Sequence, residues 1–113
     1  MKPAFFAPRA RRDVLDLARH SEAEFGRDAR DRYLALLGQA ILDLRRDSTR
    51  PGVQRRAELP PDVRLYHLRH SRSGLAPRER PATARHVVVF RETAERVEIV
   101  RVLHDAMDWV RHL

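Results

Sequence analysis

His67 and His70 stand three residues apart, and His104 and Asp108 stand four apart. Such pairs are the raw material of metal sites and of acid–base chemistry. On a strand, residues three apart point to opposite faces, so His67 and His70 converge poorly. No further cluster with ligand spacing accompanies either pair, and the chain has no cysteine. The expectation is therefore no metal, no cofactor and no thiolate chemistry. Cations are abundant instead. The chain carries 23 Lys and Arg against 16 Asp and Glu, a formal net charge of +7, and Lys2 is its only lysine. Arginine binds phosphate and carboxylate in a bidentate manner that lysine cannot reproduce. The surplus predicts attraction to polyanions, either nucleic acid or an acidic protein. A GC-rich coding sequence would also replace lysine by arginine, but would leave the charge in place.

The chain closes on "MDWVRHL" (107–113), where two readings stand side by side. Met107 and Trp109 either pack a tail onto the fold, or Trp109 anchors an interface. Arg111 and His112 either compensate the dipole of a short helix or form a contact surface with Asp108 and Trp109.

Regular elements must position these groups. "KPAFF" (2–6) reads as a first, edge-like strand, with Pro3 at its start, where no ladder donor is needed. Pro8 suits the first position of a helix. Ala10, Val14, Leu17, Ala18, Ser21 and Phe25 recur at three and four, which marks one helix face, and Gly26 ends it. Asp28 reads as the cap of a second helix with a stripe of Tyr33, Leu36, Leu37, Ala40, Ile41 and Leu44. The two make an αα-hairpin. Residues 47–62 read as loop and "VRLYHLRH" (63–70) as a strand. Residues 71–83 read as a long, mobile, basic connector, and Arg72, Arg78 and Arg80 make it a candidate contact for DNA or an acidic protein. "RHVVVF" (85–90) and "RVEIVRVLH" (96–104) are the clearest strands, joined by a polar turn at 91–95. The expected fold is α+β, in the order β-α-α-β-β-β. A helical hairpin lies on one face of a small antiparallel sheet, with a short C-terminal helical tail.

Both alternating sets of the last two strands are apolar. Ile99 and Leu103 stand against Val100 and Val102, and Val88 and Phe90 against Val87 and Val89. A sheet covered on one side only should alternate apolar with polar. The helices can cover one face, and the rest of the chain offers little for the other except the tail. The expectation is an open apolar face bordered by Arg101, shaped to receive another protein. Val88, Phe90, Ile99, Arg101 and Leu103 are its candidate contacts.

A length of 113 residues suits one domain, spanning 1–113. Hydrophobic residues make up 42% and charged residues 35%, so the chain should fold with a highly charged surface. No apolar run approaches the roughly 20 residues that span a membrane. The apolar stretch at the N-terminus is too short for a signal peptide, and the expected location is cytoplasmic.

The sequence resembles the ParE/RelE superfamily of bacterial type II toxins, and its ParE-like branch in particular. "DRYL" (31–34), "RPGV" (50–53), "HVVVF…VEIVRVLH" (86–104) and "MDWVRHL" (107–113) carry the resemblance, which runs over nearly the whole chain. Residues 71–83 depart from it, since compact relatives join these strands more tightly. The resemblance implies a plasmid-stabilisation-type toxin held inactive in a hetero-oligomer with a cognate antitoxin. That antitoxin would be an acidic protein, of ribbon-helix-helix type. In the ParE branch the implied target is DNA gyrase, trapped on cleaved DNA, with "MDWVRHL" as part of the target-contacting surface. In the RelE branch the implied activity is ribosome-dependent mRNA cleavage. That reaction needs a base, an acid and cations around the phosphorane. The candidates here are Arg64, Arg85, Arg101, His104 and His112. The lysines of such relatives are missing, and neither Tyr33 nor Tyr66 lies in the tail. Arginine is a very poor base, so a gyrase-binding toxin without catalysis is the leading expectation. A toxin-fold protein that only binds antitoxin remains the third reading.

Overall fold

A computed structural model of the chain describes residues 1–107 and Arg111. The expected short helical tail, with Asp108, Trp109 and His112, lies outside the described residues except at Arg111. The elements run β1 (Ala4–Phe6), α1 (Pro8–Phe25), α2 (Arg27–Arg46), β2 (Arg64–His67), two 3₁₀ helices (Leu68–Gly74 and Pro77–Glu79), β3 (His86–Glu92) and β4 (Val97–His104). The fold is α+β in the expected order. The sheet order is β1-β4-β3-β2. The sheet is mostly antiparallel, and β1 joins β4 in parallel. This parallel pairing requires a crossover, which the helical hairpin and β2–β3 supply.

The helices form where the apolar spacing puts them. Pro8 occupies the first turn of α1, where its missing N–H costs nothing. Ala10 and Leu17 are buried on its inner face; Phe25, on the same spacing, is exposed at the helix's last residue. Gly26 serves both helices. Its φ of +91° is a region that glycine enters freely, and its N–H bonds the Glu22 carbonyl at 2.9 Å. Gly26, rather than Asp28, is therefore the N-cap of α2, and Asp28 sits in the first turn where the dipole favours an acid. Leu36, Leu37, Ala40, Ile41 and Leu44 are buried against the sheet.

The expected strand parity is broken inside β4. Val89 pairs with Arg101 and Phe90 with Ile99, so Val100 has no partner across the ladder. A one-residue bulge of this kind flips every side chain beyond it. Ile99 and Val102 therefore share the helix-facing core with Val88 and Phe90, whereas Leu103 joins Leu65, Val87 and Val89 on the other face. This corrects the open-face assignment. Val88, Phe90 and Ile99 are fully buried beneath the helices, because the bulge and the helical hairpin both place them there.

The other face is not bare either. Leu59 and Val63, from the connection after α2, pack into the second cluster with Leu65, Val87, Val89 and Leu103, with Val100 at its edge. Backbone bonds of 2.8 Å in both directions between Gln54 and Leu65 hold this connection against β2. The 71–83 connector is also built rather than loose. Arg72 Nε donates to the Pro81 carbonyl at 3.1 Å, and Arg80 Nε to the Leu75 carbonyl at 3.0 Å. Two of the three candidate contact arginines, Arg72 and Arg80, thus close turns. Gly74 packs so tightly on the Gln39 side chain that a Cβ would come within 2.9 Å of it.

Candidate functional site

Two of the expected site arginines are held in ion pairs. Arg64, on β2, donates from Nη1 to the Ser48 carbonyl at 3.2 Å and pairs with Glu92 Oε2 at 3.4 Å. Glu92 also receives Lys2 Nζ at 2.5 Å and the Ser48 hydroxyl. These hydrogen bonds, from Lys2 first and then Ser48, hold its carboxyl at about 2. One carboxylate therefore ties the N-terminus, the start of the α2–β2 connection and β2 to the end of β3.

Arg101 forms a fork with Asp13 of α1, Nε to Oδ2 at 2.8 Å and Nη2 to Oδ1 at 3.0 Å. Asp13 Oδ2 also accepts the Val102 N–H at 2.9 Å. β1 pairs with β4 only as far as Ile99. Beyond that point a carboxylate from α1 takes over from the missing edge strand. The guanidinium expected on an open face is an edge clamp instead, held by Asp13 where β4 has no strand beside it.

The imidazoles gather at the far end of β3 and β4. His86 and His104 pair across the sheet, with ring centroids 5.3 Å apart and edge to face. Tyr33 of α2 meets His86 Nδ1 at 2.6 Å, and its hydroxyl oxygen accepts the Arg85 N–H at 2.9 Å. The Tyr33 O–H therefore donates to His86. Burial, aided by His104, lowers His86 to about 4, so this ring is neutral at physiological pH. His104 Nδ1 accepts the Ala106 N–H at 3.1 Å. His67 Nδ1 accepts the Arg69 N–H at 3.1 Å, and its Nε2 meets Asp105 Oδ2 at 3.0 Å. Each of the three rings thus spends its Nδ1 lone pair on a fixed donor, which leaves the proton on Nε2. They are hydrogen-bond donors with fixed tautomers, not open bases. Asp105 collects the cluster's charge. Its carboxylate lies 3.5 Å from His104 Nδ1 and 4.0 Å from Arg85 Nε. The bond from His67, and behind it the charge of Arg85, hold it below the usual carboxylate range.

A second network explains "RPGV". Arg50 Nη1 pairs with Asp43 Oδ2 at 2.8 Å and lies 5.7 Å over the Tyr66 ring. Ser71 Oγ joins Tyr66 and Asp43, each at 2.7 Å. Gly52, at φ +101°, lets the backbone lie against the His70 ring, where a Cβ would be 2.7 Å away. Between this turn, β2 and the first 3₁₀ helix opens a cleft of about 310 Å³ that includes Arg56, His67, Arg69 and His70.

Of the expected residues, Arg85 and His104 are brought together. Arg64 and Arg101 lie elsewhere, in their own ion pairs. Arg111 is exposed, and Asp108, Trp109 and His112 lie outside the described residues. His67 and His70, three apart, do line one cleft, because β2 stops at His67 and the 3₁₀ turn brings His70 back. Among the described residues no group of three or more His, Asp or Glu is arranged to hold a metal ion, and no helix is long and apolar enough to cross a membrane. Sequence reasoning missed Glu92, Asp13, Asp105 and Asp43, which organise the four networks. Single acids in polar surroundings give no periodic signal; only the arginine excess hinted at buried pairing.

The family model described as "ParE toxin of type II toxin-antitoxin system, parDE" matches residues 4–109 of the 113. The chain belongs to the ParE toxin family. No curated protein matches it significantly. The family match spans every strand and helix of the sheet and hairpin, so this ParE-family domain is the toxin component of a type II toxin–antitoxin pair.

Proposed function

We propose that this ParE-family chain acts in the cytoplasm by binding rather than by catalysis. It poisons DNA gyrase on cleaved DNA and is neutralised by an acidic, ribbon-helix-helix antitoxin. The observation that supports this reading is the bonding of the cluster. His67, His86 and His104 all have Nδ1 occupied by donors. Arg64 and Arg101 are in ion pairs with Glu92 and Asp13. General base catalysis needs an unprotonated nitrogen within reach of the substrate, and these rings offer N–H groups.

The antitoxin's contacts move with the corrected faces. Val88, Phe90 and Ile99 are inaccessible, and Leu103 is buried in the second cluster. Leu15 and Phe25 are the large exposed apolar side chains of α1. Arg11, Arg12 and Arg19 share that helix. An acidic amphipathic helix laid along α1 would bury the apolar pair and meet the cations. The charged tail around Asp108, Trp109, Arg111 and His112 is assigned to the target.

The deciding measurement adds purified toxin to gyrase supercoiling reactions and to programmed ribosomes in parallel. Trapped cleavage complexes with intact mRNA are expected. Cut mRNA with gyrase unaffected overturns the reading in favour of the ribonuclease. Inactivity in both, with antitoxin binding kept, favours a protein that only binds antitoxin.

A further inference from the structure

We propose that the cleft between the Pro51–Gly52 turn, β2 and the first 3₁₀ helix is a binding site for a phosphorylated nucleoside, free or as one residue of a single strand. The site holds without catalysis and stands under either reading of the target.

Its volume, about 310 Å³, is at the lower end of small-molecule sites and suits one nucleotide. Leu65 and Val87, from adjacent strands, give it an apolar part. Arg69, and Arg56, which pairs with Glu58 at 3.6 Å, give it guanidinium groups, the side chains best shaped for phosphate. Among the described residues the Arg69 guanidinium has no ion-pair partner. Its backbone N–H, by contrast, is fixed on His67. The one carboxylate in the lining, Asp105, is engaged by His67 at 3.0 Å, with His104 and Arg85 close by. Phosphate would therefore meet cations, not an open acid.

His70 supplies a flat ring. It is held from one side by the Gly52 backbone and sits 5.6 Å from the Tyr66 ring, tilted by 41°. Burial, then the charge of Arg69, lowers its affinity for protons. A neutral imidazole held in place beside guanidinium groups is suited to stacking on a base. The carboxylate of an acidic peptide could reach the same arginines, but it would use neither the ring nor the apolar wall.

The test titrates the full chain with adenosine 3′-monophosphate, inorganic phosphate, adenosine and a single-stranded DNA decamer. Affinity is followed by calorimetry and the histidine ring resonances by NMR. The nucleotide should bind more tightly than either phosphate or adenosine and should shift the His67 and His70 ring signals. Arg69→Gln should weaken it about tenfold, the loss of one charge-assisted contact. Arg32→Gln, which removes one charge from an exposed position on α2, should change it little. Tighter binding of the decamer than of the nucleotide identifies the strand as the natural source; the reverse identifies the free nucleotide. Equal losses in the two variants, phosphate binding as tightly as nucleotide, or ring signals that stay still would each overturn the proposal. Arg69 is exposed, so Arg69→Gln should fold, and an unchanged thermal melt checks this independently.

Discussion

At the scale of single residues, Glu92 and His86 give opposite kinds of group the same pH sense. The Glu92 carboxyl is held at about 2, below its ordinary 4.5. Its contribution to stability is complete above the unfolded value and is lost as pH falls towards 2. Glu92→Gln should cost about 2 kcal/mol at neutral pH, through loss of the charge-assisted bonds from Lys2 and Arg64. The deficit should shrink in urea melts run near pH 2.5. His86 stays neutral down to about 4, against an ordinary 6.5. The unfolded chain takes up its proton first, so acid should erode stability between those two values. His86→Gln keeps an acceptor for the Tyr33 hydroxyl and removes the titration. Its melting temperature should fall less between pH 6.5 and pH 4 than that of the parent chain. An identical slope would show that His86 does not titrate as its burial dictates. Neither residue was legible in the sequence as anything special. Glu92 sits in a stretch that reads as turn, and its partners lie 90 and 44 residues away.

At the scale of elements, the helices were legible because a stripe at three and four survives any tertiary detail. The sheet faces were not, because one unpaired residue reverses the parity of all that follows. Val97, Ile99 and Val102 on one side, with Val100 and Leu103 towards the other, is a pattern only the bulge explains. The two turn glycines separate space from backbone strain. Gly26 has nothing within 4 Å of where a Cβ would lie, so Gly26→Ala should cost only the strained φ, about 1 kcal/mol. Gly52→Ala adds a clash at 2.7 Å with the His70 ring. It should destabilise the chain more in denaturant melts, and should move the His70 ring signal where Gly26→Ala leaves it still. Asp13 is the element-scale clamp between α1 and the open edge of β4. Asp13→Ala should cost about 3 kcal/mol, because it removes the carboxylate from the little-exposed Arg101 and the acceptor from the Val102 N–H. Calorimetric melts of the two chains measure that difference.

At the scale of the whole molecule, the surplus of +7 and the two filled faces of the sheet decide how a partner can dock. The order of elements and the family likeness were legible across the chain. The docking surface was not, since the segment that fills the second face, Leu59 and Val63, reads as loop and carries no periodicity. A partner can therefore reach apolar surface only where side chains protrude, and Leu15 at 55% exposure is such a place. Val88, by contrast, is wholly buried, so Val88→Asp should abolish folding and report nothing about docking. Leu15→Asp should leave the melt within about 0.5 kcal/mol of the parent, as surface changes do. It should nevertheless weaken an acidic antitoxin helix, by placing a carboxylate against its apolar side and its charge. Calorimetric titration with the cognate antitoxin reads the effect directly. The parent complex should lose affinity as salt rises. Unchanged affinity for Leu15→Asp would move the antitoxin off α1, whereas a salt-independent parent complex would remove charge as the reason the two proteins meet.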